Sequence, residues 1–318
     1  MTTTTHSRGR LTGVLPIVHT PFNAQDRIDE ADLAREVDWI FAVGADGLGT
    51  GMVSETARLT AEERSLLPKL LVEFAAGRGP VFMSVDADTT AAARAHAEAA
   101  ERAGCAAVMA VPPMATALDP AALADYYHGI AESVGLPLIV QDASGYVGQA
   151  IPFSVYGDLL DRHGPEKILF KPEASPLGPN LSRLRDFTSG RATIFEGSGG
   201  ILLVDAHRRG IAGTMPGVDL LDGVVALWRA LESGADDDVV YSLSLPICGI
   251  VALQMQAGLD GFLAIEKHLL VKRGLFTSDR RRGPLTWSLD PETAREVERL
   301  LDRLAAAVSA AAAPSLDT

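Results

Sequence analysis

The chain has 318 residues, 47% hydrophobic and 22% charged, which is enough for one large core or two domains of ordinary globular composition. A formal net charge of −13, with Arg280-Arg281-Arg282 as the densest cationic run, argues against nucleic acid or any other polyanion as a partner. No apolar run reaches about 18 residues, so no membrane span is expected. Cys105 and Cys248 lie far apart without metal-ligand spacing and predict reduced thiols in a cytoplasm.

In chain order, residues 1–12 lack the apolar core of a signal peptide and read as a flexible tail. A buried strand is expected over 13–20, closed by Pro21. Asp29 then caps a helix whose apolar face is Leu33, Val37, Ile40 and Phe41. A small-residue strand follows over 45–51, and Thr60 with Glu63 forms a capping box for the next helix. Strands over 80–85, 106–111 and 137–142 alternate with helices over 89–104, 119–135 and 153–162. The sixth strand, 167–171, leads to a helix around 181–185. The seventh and eighth, 192–196 and 211–215, are followed by helices over 201–209 and 218–232. Beyond Asp237 the pattern predicts only helices, over 239–256, 261–273 and 291–308.

Strands that are continuous apolar runs, alternating with helices at a spacing of about 25 residues, imply parallel strands covered on both faces. Eight such repeats match an α/β (β/α)8 barrel, a TIM barrel, better than an open doubly wound sheet. No G-x-G-x-x-G opens the first βα unit, which weakens a dinucleotide-binding alternative. The organisation expected is a barrel over 13–235, a C-terminal helical extension over 236–310 packed on it, and a flexible tail over 311–318.

The sixth strand ends in Lys171-Pro172-Glu173. The chain carries only five lysines (Lys69, Lys167, Lys171, Lys267 and Lys272), and nearly every other cation is arginine. Arginine keeps its proton in a protein, whereas a desolvated lysine becomes a neutral nucleophile. Barrel active sites lie at the C-terminal ends of the strands, where Lys171 stands. The bland reading is a solvated charge at a strand end.

The chain resembles the dihydrodipicolinate synthase and N-acetylneuraminate lyase family, barrel enzymes that form a Schiff base with a 2-oxo acid. The likeness rests on GVLPIVHTPF from Gly13, GMVSETARLT from Gly51, and Lys171 at the place of the Schiff-base lysine. Gly210, Gly213, Glu266-Lys267, Gly274-Leu275-Phe276 and Arg282-Gly283-Pro284-Leu285 extend it to about Leu304. It implies a lyase working by aldol cleavage, condensation or dehydration, pyruvate-type substrates, no cofactor, and a homo-oligomer, commonly a homotetramer. The chain departs from the family where two hydroxyl side chains for the substrate carboxylate give way to Met52 and Val53. Gln141 holds the place of the catalytic tyrosine. Tyr146 corresponds roughly to a distal arginine, and Met114 to a tyrosine offered to a neighbouring subunit.

The resulting expectations are Lys171 as nucleophile, with Gln141 and Asp142 at the position of the proton relay; the other reading of Asp142 is a loop cap or the partner of an arginine. Thr50, Met52, Val53 and Ser54 are expected to hold the substrate carboxylate, with Gly213 and Met215 nearby. Glu173 is expected behind the site, because Pro172 should break the alternation that would otherwise point it with Lys171. His19 is expected near the barrel mouth in a structural role, Glu196 in a salt bridge, and Glu55 as an organiser of its loop. No cluster of His, Asp or Glu has metal spacing, so no metal is expected. Other readings left open are a hydro-lyase or condensing enzyme of specialised metabolism and a catalytically silent binder of 2-oxo acids. The glycine loops Gly197-Ser198-Gly199-Gly200 and 213–217 also admit a sugar-phosphate enzyme.

Overall fold

The structure of the protein, a computed structural model, describes residues 11–145 and 148–312. Its strands are β1 Gly13–Val14, β2 Leu48–Gly49, β3 Val81–Ser84, β4 Ala107–Ala110, β5 Leu138–Asp142, β6 Ile168–Pro172, β7 Thr193–Glu196 and β8 Gly213–Thr214. The pairings between these strands are parallel; β2 to β8 pair in sequence order and β8 returns to β1. The β1–β2 seam is joined beyond the regular strands: Gly49 N–H donates to Pro16 O at 2.9 Å and Val18 N–H to Gly49 O at 2.8 Å. Ile17 there bridges both Gly49 and Gly217. The β1 and β8 strands are shorter than the apolar runs suggest, because Pro16 and Pro216 have no N–H to give to a ladder.

The helices that follow the strands are α1 Glu30–Ala42, α2 Ala61–Ala75, α3 Thr90–Ala103, α4 Pro120–Ser133, α5 Phe153–His163, α6 Leu177–Phe187, α7 Leu203–Arg208 and α8 Leu221–Ser233. The N-caps legible in the sequence are formed: Asp29, Thr60, Thr89 and Asp119 each accept backbone N–H groups of the first turn, and Glu63 completes the box with Thr60. Strand alternation produces two cores. Leu138, Val140, Ile168 and Phe170 face outward into the layer shared with the helices. Leu15, Ile17, Phe82, Met109, Ile139, Leu169, Phe195 and Met215 fill the barrel interior. Against that interior plug, a cavity opens at the strands' C-terminal mouth. Leu11, which falls within the expected tail, belongs to the same interior cluster. The remainder of both expected tails, and Tyr146, lie outside the described residues.

Three helices complete the chain: α9 Asp237–Gln254, α10 Gly258–Lys272 and α11 Pro291–Ala312, the last running past the expected boundary at 310. The 237–272 stretch contains an 18-residue window of mean hydropathy 1.5, long and apolar enough to cross a membrane by composition alone. This qualifies the expectation that no such run exists. Part of its apolar surface is spent inside the protein: Leu243, Ile247, Ile250 and Val251 are buried in the core shared with α8 and α11.

Lys267 of α10 ties this extension to the barrel mouth. Its Nζ donates to Thr20 O at 2.7 Å, Arg280 O at 2.9 Å and Glu55 Oε1 at 2.5 Å, and it lies 4.6 Å from the centre of the Phe22 ring. Both charged side chains are fully buried. Removing one partner of such a pair strands the other charge without water. Lys267→Met should therefore lower the unfolding free energy by roughly 3–5 kcal/mol, read as a fall in the denaturant midpoint. A loss under about 1 kcal/mol, the scale of a surface pair, would show that the pair does not hold the extension.

Candidate active site

At the mouth, β5 and β6 pair in register, with Gln141 opposite Lys171 and Asp142 opposite Pro172. Lys171 and Gln141 project into a cavity of about 500 Å³, counted with its solvent-open entrance. Lys171 Nζ lies 3.3 Å from Glu173 Oε2, and Gln141 Nε2 donates to the same oxygen at 2.5 Å. Burial pushes the Glu173 carboxyl up from its ordinary range, against the charge of Lys171 and the hydrogen bond from Gln141. The amine is thus a buried nitrogen beside a carboxyl with raised proton affinity. Gly197, just past β7, makes this possible: a Cβ there would stand 2.3 Å from Lys171 Cε and 2.5 Å from Glu173 Oε1.

Glu173 corrects the expectation that Pro172 would turn it away. Its N–H still donates to Asp142 O at 2.9 Å, so the strand geometry continues through the proline. The N–H that proline lacks would face β7, where pairing has already ended at Phe170–Ile194. Asp142 is also placed differently from its expected relay position. It is one residue out of phase with Gln141, and its carboxylate oxygens accept Ser144 N–H at 3.0 Å and Ile151 N–H at 2.9 Å. It anchors the loop after β5 and does not line the cavity.

The expected carboxylate seat divides. Met52 and Val53, in a 3₁₀ turn spanning Met52–Ser54, line the cavity. The Thr50 hydroxyl is committed to Ser84 N–H at 2.8 Å. The Ser54 hydroxyl donates to Val18 O at 2.5 Å and accepts Gly51 N–H at 3.1 Å, so both hydroxyls shape the loop. Met215 lines the cavity, but Gly213 sits deeper, against β1, where a Cβ would meet Gly13 O at 2.3 Å. Glu55 holds the left-handed corner of its loop at φ +53, bonded to Lys267, to Arg58 at 3.3 Å and to Arg282 N–H at 3.0 Å. Glu196 makes hydrogen bonds, not the salt bridge expected of it. Thr214 Oγ1 donates to it at 2.6 Å, and Ser198 N–H also donates.

His19 is fully buried between two carboxylates, with Nε2 2.8 Å from Glu266 Oε2 and Nδ1 3.2 Å from Glu36 Oε1. Burial alone would lower its pKa. The charges and hydrogen bonds of Glu266 and Glu36 outweigh that and push it up to about 10. Asp219 nearby is raised to about 7, by burial and then by the charge of Glu266. Glu266 lines the cavity, as do Leu259 and Phe262. All three come from the helical extension and were not anticipated as site residues. The available signal was that α10 carries Ile265, Glu266 and Lys267 consecutively with no polar side; all three are buried.

A sequence profile of the dihydrodipicolinate synthetase family matches residues 10–301. The L-2-keto-3-deoxyarabonate dehydratase of Azospirillum brasilense is 29% identical over 95% of this chain and 97% of its own length. The 4-hydroxy-tetrahydrodipicolinate synthase of Methanothermobacter thermautotrophicus is 26% identical over 66% of this chain and 76% of its own. Among solved structures, the dihydrodipicolinate synthase of Rhodopseudomonas palustris superposes with a TM-score of 0.83 at 26% identity, covering 92% of this chain and 98% of that one.

Two outcomes are expected from this geometry. Gly197→Ala should push Lys171 and Glu173 off position and slow any reaction at the amine by roughly 100-fold, with the circular dichroism spectrum unchanged. An unaltered rate would mean that the close approach at Gly197 is incidental. The second concerns pH. The His19 charge stabilises the fold fully below its unfolded value of 6.5, and that stability is lost as pH rises toward about 10. Asp219, raised from 3.8 to about 7, acts in the lower window, where stability falls as pH rises from about 4 to 7. His19→Gln should lower Tm overall and flatten its decline between pH 7 and 10. Parallel Tm curves for the two proteins in that range would exclude His19 as the group responsible.

Proposed function

Because the chain belongs to the dihydrodipicolinate synthetase family, and is a lyase, we propose that it forms a Schiff base between Lys171 and a 2-oxo acid and eliminates water from the bound substrate. The observation that carries this reading is the buried Lys171 amine, 3.3 Å from Glu173, opening into a cavity at the barrel mouth. An amine attacks a ketone only when neutral, and the resulting carbinolamine must lose its hydroxyl as water. Glu173 is positioned for both proton movements at nitrogen. It takes the ammonium proton before attack and returns it to the departing hydroxyl. Gln141 cannot exchange protons and instead holds Glu173 in place. The substrate carboxylate is seated against the backbone of Met52 and Val53, whose apolar side chains leave the main chain as the polar partner on that wall.

Dehydration is favoured over carbon–carbon cleavage by the near-full-length likeness to a dehydratase of a 2-keto-3-deoxy acid. The substrate class is then a 2-oxo acid with a hydroxyl at C4. The sugar-phosphate alternative fits poorly. The residues lining the cavity include one cation, Lys171, and two acids, Glu173 and Glu266, a balance that repels a phosphate dianion. The loop after β7 is also filled from outside: Gly200 packs toward Ile247 and Gly199 toward Val251 of α9. A homo-oligomer is part of the proposal. Met114, exposed in the loop after β4, lies where the family offers a residue to its neighbour.

Incubation with pyruvate and borohydride should add one reduced pyruvyl group, located by peptide mass spectrometry on Lys171, and Lys171→Ala should abolish it. Saturable pyruvate binding without an adduct would instead identify a silent binder and overturn the lyase chemistry proposed for this site.

A further inference from the structure

Among the residues lining the cavity, the titratable side chains are Lys171, Glu173 and Glu266. The first two serve the nitrogen, and elimination also needs a base at carbon. The strand-five position that the resemblance assigns to a tyrosine holds Gln141, which cannot supply one, and Asp142 faces away into its loop. Glu266 enters the cavity from the opposite kind of element, the helix α10. One of its oxygens, Oε2, is fixed 2.8 Å from His19 Nε2. The His19 ring is itself fixed from behind: Nδ1 faces Glu36 Oε1, which also accepts the His19 backbone N–H at 3.0 Å. The second oxygen, Oε1, makes no hydrogen bond among the described residues. It lies 2.7 Å from the point where a Cβ on Gly217 would stand, and Gly217 lines the same cavity. Asp219 Oδ1 lies 2.9 Å from the same point, and the glycine at 217 keeps a side chain of its own from standing between Oε1 and the cavity.

We propose that Glu266 is the catalytic base of the site, moving the proton at C3 of the 2-oxo acid bound to Lys171. This rests on the Schiff-base reading above. In the step, Glu266 takes the C3 proton, and the electron pair of the C3–H bond becomes the C2–C3 double bond of an enamine while the iminium nitrogen becomes neutral. With a hydroxyl on C4, the enamine pushes that group out, and the proton now on Glu266 goes to the departing oxygen, forming water. The carboxylate is regenerated and the nitrogen is again an iminium, conjugated with the new C3–C4 double bond. One carboxyl serves as base and then acid, so the site needs no tyrosine. A purely structural Glu266, present only to neutralise His19, would leave proton transfer at C3 unaffected by its removal.

Pyruvate in D2O separates these without knowledge of the natural substrate, because its C3 is a methyl group whose protons are replaced through the same enamine. Followed by proton NMR, the wild-type enzyme should wash the methyl signal out. Glu266→Gln should keep the borohydride-trapped adduct on Lys171 and lose methyl exchange by roughly 100-fold or more. Glu266→Gln exchanging at the wild-type rate while still forming the adduct would overturn the assignment. A wild-type enzyme without any adduct would overturn the Schiff-base reading itself, and with it this step. Should Glu266→Gln fail to fold, Gly217→Ala retains every charge while its methyl group displaces Oε1 together with the neighbouring Asp219 Oδ1. Exchange is then expected to fall at least about tenfold with the adduct kept, and unchanged exchange in that folded variant would overturn the proposal.

Discussion

A primary amine buried at the end of a barrel strand is the constraint to which the rest of the mouth conforms. An ammonium taken out of water costs several kcal/mol unless a partner and hydrogen bonds replace its hydration. Here the partner is Glu173, two residues on and just past the end of β6, itself buried and itself needing a donor, which Gln141 supplies. The three groups cross-satisfy one another, so none can be changed alone without stranding another. The space for them comes from the absence of a side chain at Gly197. Below them, the packed interior from Phe82 to Phe195 closes the barrel, so a ligand that reaches the amine arrives from the mouth.

The second buried charge system works by a different logic. Glu36, His19 and Glu266 run from α1 through the end of the first apolar run to α10. Lys267, the next residue on α10, is bound to Glu55 and the backbone of Thr20 and Arg280. Adjacent residues of one helix therefore secure two different parts of the mouth: Lys267 locks the Glu55 loop, and Glu266 delivers a carboxylate into the cavity. The extension is consequently more than a cover. Without it the barrel would lose both the pin on its first loops and one of the two acids that line the cavity.

How much of this was legible in the sequence depends on whether a residue's role follows from its own element. Lys171 was readable because a lysine ending an apolar strand is conspicuous in an arginine-rich chain, and barrel geometry says where strand ends go. Asp29, Thr60, Thr89 and Asp119 were readable because capping is settled within one helical turn. Glu173 was misjudged because the cost of Pro172 depends on which neighbour its missing N–H would face, and that follows only from where the β6–β7 ladder stops. Asp142 left two readings open, and strand phase, one position from Gln141, decides for the loop. Glu266 was hard to read as a site residue because a Glu-Lys pair within a helix ordinarily reads as a solvated face, and its burial comes from tertiary packing on His19, 247 residues earlier and beyond the end of β1.

These misjudgements share a direction that bears on how such sites change chemistry. In this chain the carboxyl beside the amine stands on the strand side, whereas Glu266 reaches the same cavity from α10, so the two acids belong to different walls of the mouth. What must be preserved is local to the nitrogen: Lys171, a carboxyl beside it and a glycine at 197 to admit them both. What moves protons on carbon can be supplied from any wall whose side chain has one oxygen fixed and another uncovered. In this chain that condition is met on α10, where His19 fixes one oxygen of Glu266 and Gly217 leaves the other open. Under the proposal above, the group that moves protons on carbon is therefore separable from the pair at the nitrogen, and it brings its own buried counter-charge, His19, with it.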